Sequence, residues 1–232
     1  MKVEIYADIA CPWCYIGERR FEQALAEFPG GSDIEVVYRP YQLDPSAPEQ
    51  SVPMKQHLAK RFGAGASGIL DRVTQAAAGE GISMEWDRAL AVNTRTAHRL
   101  MRLARTEYGR EVQHALMHAL FAAHFTDGID VGDNAQLTEL AVNAGMDADR
   151  VRDYLASSEG ETELSAEFDY ARQIGITSVP TFIFDEQYAV QGGQPASVFL
   201  QVLEEVQRRS EATASVGATE DASSCTDGSC TI

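Results

Sequence analysis

The sequence predicts an α/β fold interrupted by a long all-helical insertion. Three observations carry that reading. Apolar residues alternate at Val3, Ile5 and Ala7, and a second apolar run covers residues 34–38, marking two strands around one helical stretch. Strand character returns only at residues 181–184 and 188–191. Between the two regions, from Met54 to about Gly175, the pattern is almost entirely helical.

Residues 2–8 place Val3, Ile5 and Ala7 on one face and Lys2, Glu4 and Tyr6 on the other, the period of a strand. Residues 15–28 follow as a helix, with Ile16, Phe21, Leu25 and Phe28 at roughly helical spacing, and Pro29-Gly30-Gly31 ends it. Residues 34–38 complete a βαβ unit, whose crossover should be right-handed. Residues 39–53 hold Pro40, Pro45, Pro48 and Pro53 and read as an irregular connection. Helices are expected over 54–62, 69–78, 94–108, 111–125, 135–144, 148–157 and 161–174, with no strand among them. Asp147 fits an N-cap. Asp185-Glu186 turns a hairpin, Gly192-Gly193 breaks the chain, and Pro195 opens a last helix over 196–208.

The order βαβ, helical block, ββα fits a thioredoxin-like fold with a large all-helical insertion. Residues 1–52 and 159–209 form the discontinuous thioredoxin-like domain, and 53–158 the inserted helical subdomain. Residues 210–232, rich in Ala, Ser, Thr, Gly and Glu, read as a flexible, disordered tail carrying a second cysteine pair.

Cys11-Pro12-Trp13-Cys14 sits at the first strand-to-helix junction. Two cysteines spaced by two residues can close a small ring within one helical turn. The unpaired N–H groups and positive end of the helix favour thiolate at the first sulfur, and thiolate is the nucleophile. The rival readings are half of a zinc site or two structural cysteines. A zinc site needs two further ligands, and no second C-x-x-C or H-x-x-x-H lies where a small ribbon would put it.

The net charge of −16 argues against nucleic-acid binding, because such a surface repels phosphates. No run of about 18 apolar residues is present, so no membrane span is expected. The chain enters its first strand at Lys2 without a basic, then apolar, leader, so a cytoplasmic location is expected. Thiols there are mostly reduced, which favours catalytic or metal-related cysteines over structural staples.

A redox site at this junction needs a facing element. Ser178-Val179-Pro180-Thr181, just before the third strand, is the candidate, with a cis Val179–Pro180 bond that would leave the backbone of Val179 free to pair with an extended substrate. With that loop, the resemblance becomes specific. Residues 8–17 (Asp-Ile-Ala-Cys-Pro-Trp-Cys-Tyr-Ile-Gly), 39–45, 93–100, 119–125, 175–182 and 188–195 are similar to the FrnE-like branch of the DsbA family, in order and over about residues 2–208. The resemblance implies a thioredoxin fold with a helical insertion and thiol–disulfide oxidoreductase activity on protein or small-molecule thiols, with an unidentified redox partner. The superfamily also holds 2-hydroxychromene-2-carboxylate isomerases and kappa-class glutathione transferases, which usually carry serine at the position of Cys11. A glutathione-dependent isomerase or transferase is therefore the alternative, and glutathione the only cofactor in view besides the redox-active disulfide itself.

The expected catalytic residues are Cys11, Cys14 and Pro180, with Pro12, Trp13, Val179 and Asn93 contacting substrate. Cys11 should be exposed and Cys14 more buried. Asp8 could relay protons to Cys14, or be a solvated strand-end acid or helix cap. Asn93 and Thr94 could bind glutathione or an aromatic substrate, or cap the helix after them. His114 and His118 have a metal-compatible spacing, but without a nearby carboxylate ligand, surface or groove histidines are the better reading, and no metal is expected. Cys225 and Cys230 form an auxiliary C-x-x-x-x-C pair, similar to one that FrnE-like proteins can carry. A flexible linker of the 16 residues from Arg209 would reach roughly 20–25 Å, enough for a relay with the first pair. Soft-metal capture and a passive tail are the other readings. A monomer and a homodimer both remain open.

Overall fold

The structure is a computed structural model that describes residues 1–220, with side chains through residue 212. Cys225 and Cys230 lie outside the described residues.

The strands β1 (Lys2–Ala7), β2 (Glu35–Pro40), β5 (Thr181–Phe184) and β6 (Tyr188–Gln191) form one sheet in the order β2-β1-β5-β6. β1 runs parallel to β2, with Lys2 opposite Glu35, and antiparallel to β5, with Val3 opposite Phe184. The parallel pair is bridged by α1 (Pro12–Glu27), and the β5–β6 hairpin is tied to the chain start, where the Lys2 N–H donates to Asp185 at 2.6 Å. Asp185 and Glu186 both have positive φ, which the tight turn requires of them.

The expected alternation along β1 holds. Val3, Ile5 and Ala7 join the main core, and Tyr6 packs on the opposite face with Ala171 and Ile176. That second face is not open to water. The helix α8 (Glu161–Gln173) covers it, so Tyr6 is only 1 % exposed. On the first face, Phe21 of α1 meets Phe182, Phe184 and Phe199, the last from α9 (Ala196–Glu220). Burying each such ring contributes about 1.5–3 kcal/mol.

Between β2 and β5 lie α2 (Met54–Phe62), α3 (Ala66–Ala78), α4 (Arg95–Leu103), α5 (Arg110–Ala122), α6 (Asn134–Asn143) and α7 (Ala148–Ala156). α4 and α5 each end in a wider π-helical turn, over Ala104–Tyr108 and Ala123–Asp127. Asp147 caps α7 by accepting the Arg150 N–H at 2.8 Å, as expected.

Three expectations need correction. α1 begins at Pro12, so the C-x-x-C motif is inside the helix and Cys11 is its N-cap residue. The helical block contains a short antiparallel pair, β3 (Val52–Pro53) with β4 (Leu90–Ala91), too brief to show alternation in sequence. The last helix does not stop near Arg208. It runs to Glu220, so residues 210–220 are helical rather than disordered and the coil-based reach from Arg209 does not apply. Among the described residues, no helix is long and apolar enough to cross a membrane.

Candidate active site

Local backbone chemistry sets the position of the two sulfurs. Cys11 has an extended backbone (φ −95°, ψ 108°), and Pro12 takes the first helical position, where its missing N–H leaves no bond unmade. The Cys11 N–H donates to the Asp8 carbonyl at 3.0 Å, and the Cys14 N–H donates to the Cys11 carbonyl at 3.0 Å. Both thiols are free.

The Val179–Pro180 bond is cis, and the Val179 carbonyl oxygen lies 3.7 Å from the Cys11 Sγ, close enough to accept from the thiol. Glycines let this loop come close. A Cβ on Gly17 would stand 3.0 Å from the Gly193 Cα and 3.0 Å from the Pro180 Cγ, so α1 meets the β6–α9 turn backbone to backbone and takes the Pro180 ring directly against its own backbone. Arg20 holds the same turn, donating to the Gly193 carbonyl at 2.6 Å.

Cys11 is less open than expected, 4 % exposed against 2 % for Cys14. The cis-proline loop covers it from one side. The asymmetry lies instead in what each sulfur faces: Cys11 lines a groove of about 350 Å³, and Cys14 does not. Burial pushes the Cys14 thiol well up, and the neighbouring Cys11 sulfur adds to the shift. Cys14 therefore keeps its proton until that environment changes.

The groove runs from Pro12 and Trp13 to Leu58 and Phe62 of α2 and Leu70 of α3. Its surface is mainly apolar, with Asp8, Arg61, Thr94 and His124 as polar points. Pro12 and Trp13 line this groove beside Cys11, and Val179 faces Cys11 across the loop. Asn93 is different. It does not line the groove, and its amide accepts from Gln42 (2.7 Å) and the Arg95 N–H (3.0 Å) and donates to the Pro45 carbonyl (3.2 Å). It takes the first N–H of α4 from the position before the N-cap Thr94, and it braces the 39–53 connection.

Asp8 is neither a solvated acid nor a helix cap. It is 1 % exposed and accepts from the Ala10 N–H (3.2 Å), the Leu43 N–H (2.7 Å) and the Thr94 hydroxyl (2.8 Å), with His98 Nε2 at 3.2 Å. Burial alone would raise its pKa. The hydrogen bond and charge of His98, with the Leu43 and Thr94 bonds, outweigh it and hold the carboxyl below its usual value. Asp8 thereby fixes the loop before Cys11 to α4. Thr94 acts through it.

Sequence reasoning missed two features. His124 is 1 % exposed, neither of its ring nitrogens meets a hydrogen-bond partner, and burial pushes its pKa down to about 4. It is a neutral imidazole in the groove wall. The second is near α1. His114 and His118 of α5 do have carboxylates close by, Glu18 and Glu22, one and two turns beyond Cys14. The premise behind expecting no metal there fails, because the acids come from a helix about 96 residues upstream.

A sheet of this topology, with a C-x-x-C at a helix N-terminus under a cis-proline, defines a thioredoxin-fold protein of the dithiol class. The chain belongs to the DSBA-like thioredoxin domain family, which it matches over residues 2–204. The crystal structure of the probable DsbA oxidoreductase SCO1869 from Streptomyces coelicolor is 39 % identical, with a TM-score of 0.81 over 88 % of this chain and 89 % of that one. YwbO of Bacillus subtilis is 25 % identical over 213 residues, 89 % of this chain and 98 % of that protein. DsbM from Pseudomonas aeruginosa with GSH, a cytosolic disulfide reductase, shares the fold at 18 % identity, with a TM-score of 0.64 over 90 % of this chain and all of that one. The chain is thus of the DsbA-like oxidoreductase kind, with the FrnE-like features read from its sequence.

Proposed function

We propose that this protein is a cytoplasmic dithiol–disulfide oxidoreductase that exchanges disulfides with protein or small-molecule thiols through Cys11 and Cys14. One observation carries the reading: Cys11 sits at the N-terminus of α1 with its sulfur 3.7 Å from the Val179 carbonyl and one side on the groove, while Cys14 stays protonated behind it. The likeness to DsbM, a cytosolic reductase, supports the location and a role for glutathione as small-molecule partner.

In the reducing direction the Cys11 thiolate attacks one sulfur of a substrate disulfide. The other substrate sulfur leaves and takes a proton, and a mixed disulfide remains on Cys11. Cys14 then gives up its proton and attacks the Cys11 sulfur, releasing the second substrate thiol. The substrate gains two electrons and the pair becomes a disulfide, which a separate dithiol or glutathione must reduce. Oxidation runs the same steps backwards. Pro180 and Val179 hold the extended substrate segment, and Pro12 and Trp13 shape the turn and its groove edge. Cys225 and Cys230 serve as an auxiliary pair that exchanges with Cys11–Cys14.

Insulin reduction and refolding of a reduced disulfide protein test this. Cys11→Ser abolishes both, and Cys225→Ser/Cys230→Ser slows turnover with a protein substrate. Retained exchange in Cys11→Ser would sink the assignment of Cys11 as the exchange nucleophile.

A further inference from the structure

On α1, Cys14, Glu18 and Glu22 recur every four residues and share one face. Glu18 and Glu22 meet His114 and His118, themselves four apart on α5. Ligand atoms of Glu18, His114 and His118 all lie within 4.8 Å of one another, and His114 Nε2 is 3.1 Å from Glu22 Oε1. His118 Nε2 contacts the same Glu22 oxygen and is 3.9 Å from Glu18 Oε1.

One buried polar atom here has no partner. Glu18 is 1 % exposed, yet its Oε2 has no hydrogen-bond partner. Its other oxygen accepts from the Tyr38 hydroxyl. Having donated that proton, the Tyr38 oxygen can accept from His114 Nδ1, 3.1 Å away. A neutral His114 that donates from Nδ1 would present the lone pair of Nε2 to Glu22 Oε1, which is also an acceptor. Two acceptors 3.1 Å apart need a proton or a cation between them.

We propose that Glu18, Glu22, His114 and His118 bind a divalent transition-metal ion, with zinc as the reference ion. Two imidazoles and two carboxylates suit zinc, and the two carboxylates neutralise its charge. Bonds of 2.0–2.1 Å in a tetrahedral site put donor atoms about 3.3 Å apart; Glu18, His114 and His118 now lie within 4.8 Å of one another, so side-chain rotations must draw them and Glu22 together around the ion. Tyr38 orients His114 and Glu18 from outside the ligand set, as partners of metal ligands usually do. His114 and His118 are partly exposed, which gives the ion a way in. The ion takes the place between the imidazole nitrogens and the carboxylates that a proton would otherwise hold. It pins α1, the helix that carries Cys11 and Cys14, to the inserted α5, and leaves the cysteines unliganded.

The test uses the full chain, free of affinity tag, stripped with chelator and kept oxidised so that thiols cannot compete. Zinc is titrated calorimetrically and cobalt by absorption. One zinc per chain is expected, bound at least about 10–100-fold more weakly in Glu22→Gln and in His118→Gln, and about 10-fold more weakly in Tyr38→Phe. Cobalt should show four-coordinate d–d bands without a thiolate charge-transfer band. Zinc should raise the melting temperature of the wild type and not that of Glu22→Gln. Circular dichroism checks that each variant folds, and His114→Gln replaces any that does not. No zinc bound at millimolar concentration, affinity unchanged in both ligand variants, or a cobalt spectrum dominated by thiolate would overturn the proposal.

Discussion

Replacing Asp8 by Asn tests the account of how the loop before Cys11 is held. Asp8 accepts two backbone N–H groups, a hydroxyl and an imidazole inside the protein. An Asn can keep its oxygen at the Oδ1 position, where Ala10, Thr94 and His98 converge. Its amide nitrogen then faces the Leu43 N–H, a donor against a donor. An unpaired buried N–H costs about 1–3 kcal/mol, and the remaining bonds fall from charge-assisted to neutral strength. Together these give a loss of about 2–4 kcal/mol. Urea unfolding of the reduced protein at pH 7, extrapolated linearly, measures it. The pH profile supplies a second readout. The folded Asp8 carboxyl titrates below its unfolded value of about 3.9, so its stabilisation is complete above about pH 5 and is lost as pH falls through the folded pKa. Asp8→Asn should lack that component. A loss under about 0.5 kcal/mol, against the 1–3 expected of one unpaired buried group, or an unchanged acid profile would refute the reasoning.

His124→Leu removes a buried imidazole that stays neutral down to about pH 4. The unfolded imidazole protonates near 6.5, so the wild type should lose up to about 3 kcal/mol as pH falls from 6.5 to 4, and the variant should not, as denaturation across that range would show. Gly17→Ala puts a methyl group 3.0 Å from both Pro180 and Gly193. It should lower the rate of disulfide exchange at least about 10-fold, the scale on which misplaced groups lose rate, while circular dichroism stays native.

Much of this was legible in the sequence because it is local. The C-x-x-C at a strand-to-helix junction, the βαβ start and the Ser178–Thr181 segment before β5 each announce themselves within a few residues. What escaped depends on long-range packing. Glu18 and Glu22 look like ordinary polar positions of α1 until α5 lies across them. Thr94 reads as a helix cap until Asp8 is brought beneath it from another element. The burial of Cys11 is set by the cis-proline loop, 168 residues away. The β3–β4 pair is two residues long, below the length at which a period of two can be seen. The residues after Arg208 carry Ser, Thr and Gly and no apolar stripe, so neither pattern nor propensity announces their helical course as far as Glu220.

Trapping the mixed disulfide tests the central claim most directly. The full chain carrying Cys14→Ser together with Cys225→Ser/Cys230→Ser, so that no second thiol can resolve the adduct, is mixed with oxidised glutathione or a disulfide peptide, then digested and analysed by mass spectrometry. The account expects a stable adduct on Cys11, absent when Cys11→Ser is added. No adduct on Cys11, or equal labelling of Cys14 in a Cys11→Ser chain, would contradict it.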